Sequence, residues 1–149
     1  MQKLKKNRYI FIKGIFSLIL FKYLYFNALY AEEDTNYILN GPLAGSFYFT
    51  KTKPGNKESV VQSHSPLLEI NENTLSVFTP YEMKGYDHYI IKHIVLDNRF
   101  NIISEKVFDP SRETPISKHN IIGYEDKLYV LSICNNHDTW VDIIKIKKP

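Results

Sequence analysis

Past its first forty residues the chain reads as short runs of apolar and β-branched residues with polar partners, broken by turn residues, the pattern of half-buried β-strands. Ala44–Lys51 (AGSFYFTK) and Glu58–Ser63 (ESVVQS) read as a first hairpin around the turn signal Lys53-Pro54-Gly55-Asn56. Leu67–Ile70 and Thr74–Thr79 follow, then Tyr89–Leu96 and Phe100–Phe108. The last unit is a strand at Asn120–Tyr124, a turn at Glu125-Asp126, then Lys127–Cys134 and Thr139–Ile146 around the polar loop Asn135–Asp138. Nowhere after the leader does a 3.6-residue pattern persist with caps. The expected class is all-β, an antiparallel meander of about nine strands.

Register can be argued for one hairpin. A three-residue loop Asp97-Asn98-Arg99 sets Leu96 opposite Phe100, Ile94 opposite Ile102 and Ile90 opposite Lys106. That register keeps one face largely apolar, and a slip of one residue inverts the faces.

A repeat organises the elements. Leu67–Ile70 stands where Ile121–Tyr124 stands, Asn71–Asn73 matches Glu125-Asp126, and Thr74–Thr79 matches Lys127–Ile133. Asp87-His88-Tyr89-Ile90 matches Asp138-Thr139-Trp140-Val141 at an offset of 51. Four-strand meanders recurring at about 50 residues are the sign of propeller blades. On PLLEINENTLSVF and NIIGYEDKLYVLS the chain resembles the blades of kelch or sialidase-type β-propellers. The sialidase Asp-box, Ser-x-Asp-x-Gly-x-Thr-Trp, survives only as Thr139-Trp140, with Asn135 and His137 at its Asp and Gly positions. The arginine cluster that the resemblance would imply is missing too, because only Arg99 and Arg112 follow the leader. The resemblance therefore carries no catalytic residues. Residues 32–149 hold little more than two blades, so the expected architecture is a small barrel or sandwich, or a partial propeller completed by self-association.

Residues 1–31 change the charge picture. A basic start (MQKLKKNR), an apolar Tyr9–Phe26 and the small residues before Glu32 lay out a signal helix for export, cleaved near Ala28 or Ala31. Lys13 and Lys22 leave only Gly14–Phe21 unbroken, short of the about 20 residues that span a bilayer. The alternative is an uncleaved N-terminal anchor, and that is the one membrane contact expected. The whole chain has a net charge of +3, but residues 1–31 hold six Lys/Arg and no acid, leaving 13 basic against 16 acidic groups. With no basic stripe in the domain, nucleic-acid binding is excluded. Cys134 is the single cysteine, so no internal disulfide braces the exported domain.

Candidate chemistry is sparse. His88 and His93, five apart on one strand, face opposite ways and cannot chelate one ion. With His64, His119 and His137 they form no motif at ligand spacing, so neither metal nor cofactor is expected. Cys134 with His137 has the look of a nucleophile and base, yet adjacency in sequence supplies no lowered thiol pKa. Ser46 lacks a Gly-x-Ser-x-Gly elbow. Trp140 and Tyr89 are matched core aromatics or a sugar-stacking platform. Tyr81, Met83 and Tyr86 in the loop PYEMKGYD have the composition of a recognition surface. The function expected is an exported, non-enzymatic binding protein whose partner is a protein (inhibitor or immunity type), a carbohydrate or another small ligand. The alternatives are a propeller-derived carbohydrate-binding or glycosidase remnant, and a structural envelope protein.

Overall fold

The computed structural model describes residues 37–146; the leader expected at residues 1–31 lies outside them. Seven strands are formed among the described residues: β1 (Leu67–Asn71), β2 (Thr74–Phe78), β3 (Ile90–Leu96), β4 (Ile102–Val107), β5 (Ile116–Asn120), β6 (Lys127–Cys134) and β7 (Asp138–Lys145). They make two antiparallel sheets, ordered β1-β2-β5 and β4-β3-β6-β7.

Alternation builds the interior. Leu75 and Val77 of β2 meet Val95 of β3 and Leu128 and Val130 of β6, with Leu68, Ile70, Ile103 and Ile144 packed around them. Fully burying each such side chain stabilises the fold by about 1.5–3 kcal/mol. The all-β class is thus correct, and its form is two sheets sharing one core. Among the described residues neither a closed barrel nor propeller blades form.

The repeat fails in three dimensions. Leu67–Asn71 and Thr74–Phe78 are a tight hairpin. Their supposed copy is not, because β5 ends at Asn120 and pairs with β2, whereas β6 pairs with β3 and β7. Ile121–Tyr124 is a turn around Gly123, whose φ of 82° lies in the left-handed region.

The expected first hairpin also does not exist. Glu58–Val60 is a 3-10 turn that continues into a short helix, α1 (Val61–His64). The Lys57 N–H donates to the Pro54 carbonyl and the Val60 N–H to that of Lys57, so the Pro-Gly turn winds onward and finds no strand partner. In Ala44–Lys51 only Phe49 pairs with the sheet, through an N–H bond to Thr139 O and acceptance from Val141 N–H, both 2.8 Å. Gly55 settles this layer: a Cβ there would stand 2.2 Å from the Gly45 carbonyl oxygen.

The β3–β4 hairpin takes a different register. Leu96 faces Ile102, a bulge follows, and Ile94 faces Glu105. Asp97 is the cause. Its carboxylate accepts the N–H groups of Arg99 (2.8 Å) and Asn101 (2.9 Å) and the Asn101 side-chain amide (2.9 Å). Local Asx bonding lengthens the loop to Asp97–Asn101, so Leu96 meets a partner two residues later than apolar matching suggests.

Candidate metal centre

Three separate segments meet at one end of the sandwich. α1 ends on His64, stopped by Ser65-Pro66; the loop before β3 supplies His88; and the β6–β7 turn supplies Cys134 and His137. Two asparagines tie the last two together. Asn135 and Asn136 both donate side-chain N–H bonds to the Asp87 carbonyl (3.1 and 3.2 Å), and Asn135 Oδ1 accepts the Tyr89 N–H at 2.9 Å.

The donor atoms converge. His64 Nε2 is 3.2 Å from His88 Nε2 and 3.0 Å from His137 Nδ1, and His137 Nδ1 is 2.9 Å from His88 Nε2. Cys134 Sγ lies 3.9 Å from His137 Nδ1. One ligand atom from each of the four residues falls within 4.8 Å of all the others. The outer edges of two rings are engaged elsewhere, His64 Nδ1 with Ser63 Oγ (2.8 Å) and His88 Nδ1 with the Tyr81 hydroxyl. Such partners fix which nitrogen faces inward.

Electrostatics keep the rings neutral. Burial, then the charges of His137 and His88, lower the His64 pKa from 6.5 to about 4. His88 is lowered by burial, His137 and Lys84; His137 by burial and Lys57, opposed by Asp138. Burial raises the Cys134 thiol above its ordinary value. Lys57, 3.2 Å from the Asp138 carboxylate, brings positive charge beside the cluster.

This donor set fits a metal ion. A hydrogen bond needs a proton on one nitrogen and a lone pair on the other, and three mutually adjacent nitrogens cannot alternate. At least one of the three contacts must set proton against proton or lone pair against lone pair. A cation removes that conflict, and one ion with bonds of about 2.1 Å reaches all three nitrogens. Imidazole with thiolate suits iron, zinc, copper and nickel.

Tyr81, Met83 and Trp140, singled out from the sequence, pack around this centre, and Tyr86 stands away from it. Tyr81 lies tilted against two rings, 4.3 Å from His88 and 4.7 Å from His64 between ring centroids, and packs with Met83 against Ile90, Phe108 and Cys134. Trp140 is fully buried, 6.4 Å from the His64 ring, and donates to the His137 carbonyl at 3.1 Å. It has no open face on which a sugar could stack. Of Tyr81, Met83 and Tyr86, only Tyr86 is well exposed, at 67%, with its hydroxyl 3.3 Å from Asp109. His88 and His93 do separate, His93 entering a different buried network. What the sequence reading missed is that Cys134-x-x-His137 is also the spacing of two ligands on one turn. His64 and His88 join them only through the fold.

No protein-family model matches the chain, and no curated protein matches its sequence. Solved structures do match. A singly substituted form of the superoxide reductase (neelaredoxin) from Ignicoccus hospitalis is 22% identical, with 69% of this chain and 95% of that one covered and a TM-score of 0.61. The same protein without that substitution gives 22%, 69% and 96%, with a TM-score of 0.58. The fold is that of the superoxide reductases. This finding replaces the propeller-blade resemblance. Together with the His/Cys cluster, it also overturns the expectations of a non-enzymatic binder and of no enzyme activity.

Proposed function

We propose that this protein is an enzyme that reduces superoxide at a single redox metal held by His64, His88, His137 and Cys134. The reading rests on one observation: four donor atoms converge at the end of a sandwich whose fold is shared with superoxide reductases. When bound, iron at this site supplies one-electron redox chemistry. The overall conversion takes one superoxide, one electron from an external donor and two protons to one hydrogen peroxide.

The chain's own residues do the rest. The neutral imidazoles offer lone pairs, and the Cys134 thiol releases its proton on ligation. Tyr81 holds His88 by its outer nitrogen, while Trp140, Phe49 and Ile90 keep water from the inner side. His88 and His137 are only partly buried, so the outer side stays open to a small anion, which the Lys57 ammonium attracts. Export through residues 1–31 belongs to the same proposal and would place the activity outside the cytoplasm.

The test is an anaerobic load with Fe2+ followed by a superoxide pulse. Reduction yields one peroxide per superoxide and no dioxygen. Half that peroxide with dioxygen evolved, faster than superoxide decays in buffer alone, would mean dismutation instead, and decay no faster than in buffer alone would reject the reading.

A further inference from the structure

A second polar array crosses the core, apart from the metal cluster. Ser132 Oγ lies 2.7 Å from Thr79 Oγ1, which lies 2.9 Å from His93 Nε2. On the other edge of that ring, His93 Nδ1 is 2.7 Å from Ser117 Oγ, and Ser117 Oγ is 2.8 Å from His119 Nε2. His119 Nδ1 then reaches Ser104 Oγ at 2.7 Å. Every member is buried except Ser104, which is half-buried. Polar groups are costly in a core unless bonded, and here five contacts run in a line without a branch.

The chemistry of the line gives it a direction. A neutral imidazole donates from one nitrogen and accepts at the other, and a hydroxyl has one hydrogen. Burial lowers the pKa of both rings, and His119 adds to the effect on His93, which falls to about 3. With both rings neutral, the arrangement that uses every hydrogen points all five bonds the same way. Inward bonding places hydrogen on Nε2 of both rings, outward bonding on Nδ1 of both.

The inner end lies on the strand that carries a ligand of the cluster. Ser132 is two residues before Cys134 on the same face of β6, and its neighbours in register are His93 and Trp140. We infer that the chain from Ser104 through His119, Ser117, His93 and Thr79 to Ser132 is a proton relay between the half-buried edge of β4 and the inner side of the cluster at Cys134. A proton given up at Ser132 is replaced by one passed from Thr79, and so on outward, until Ser104 takes one from water. One proton enters, one leaves, and the charge of the core is unchanged. The relay's use, supplying a proton to the Cys134 side of the centre, rests on the proposed function; the relay itself does not.

Ring-nitrogen NMR on full-length, histidine-labelled protein loaded with Zn2+ tests it without redox chemistry. His93 and His119 should show the same tautomer. Ser117→Ala should slow exchange of the His93 ring hydrogen with water by roughly tenfold or more, while His119, still joined to the water side through Ser104, keeps its exchange path; Ser117→Thr should restore the His93 rate. Opposite tautomers would overturn the relay, as would exchange that is unchanged or faster at both rings in a folded Ser117→Ala protein. Should that variant fail to fold, the tautomers of the unsubstituted protein still decide. Iron-loaded protein that ignores superoxide would remove the proposed function and leave the relay to the ring measurements alone.

Discussion

The five histidines divide into two sets that solve the same problem in opposite ways. His93 and His119 each have a hydroxyl at both ring nitrogens, so two neutral rings sit in the core with every polar atom bonded. His64, His88 and His137 turn nitrogens toward one another with no hydroxyl between them. The first set is complete as the chain folds. The second is complete only with a cation, so a titratable residue's role is told by what lies between the rings rather than by how deeply they are buried.

Substitutions should separate the sets. The largest effect is expected from His64→Ala with His137→Ala: the ion is lost from the purified protein by metal analysis. Zn2+ at a hundred times its Kd, which should stabilise the unsubstituted protein by about 2.7 kcal/mol, should then no longer raise the unfolding temperature. His93→Ala should do the reverse. It strands Thr79 and Ser117 and leaves a cavity, costing about 3 kcal/mol in urea unfolding, while the metal content stays at one ion per chain.

Acid sharpens the contrast. The folded pKa of His93, about 3, lies below its unfolded value of 6.5, so the unfolded chain binds the extra proton. Its contribution to stability is complete above about pH 6.5 and lost as pH falls toward 3, at about 1.4 kcal/mol per pH unit. Urea midpoints between about pH 6.5 and 4 should show this slope, and His93→Gln should reduce it by one proton's worth. The smallest effect is expected from Tyr81→Phe. Freeing the outer nitrogen of His88 should weaken metal binding about tenfold in a competition titration, with stability changed by no more than about 1 kcal/mol. Unchanged affinity would mean that Tyr81 is packing alone.

The strands Leu67–Phe78, Ile90–Val107 and Lys127–Lys145 were legible because alternation with β-branched residues survives in them. Glu58–Ser63 was not, since ESVVQS suits a strand as well as a helical turn and only the missing partner decides. The β3–β4 register escaped because three hydrogen bonds to Asp97 outweigh apolar matching. The repeat misled because a strand, an acidic turn and a Leu-led strand recur in any meander, whatever the pairing. At the site, Cys134 and His137 stand together in the sequence, but their adjacency suggests only a nucleophile and base without a lowered thiol pKa, and no metal. Their partners lie 73 and 49 residues from His137, a separation that no local pattern reports. The aromatic loop was singled out for its composition, yet Tyr81 and Met83 turn inward and only Tyr86 is well exposed.

Gly55 carries no chemistry, yet the turn it occupies leads straight into the stretch bearing Lys57 and His64. Any side chain there must push against a neighbouring carbonyl, and the displacement would pass along the winding backbone to a donor nine positions away. A hydrogen in place of a methyl is thus what lets the fourth donor arrive at the right spot.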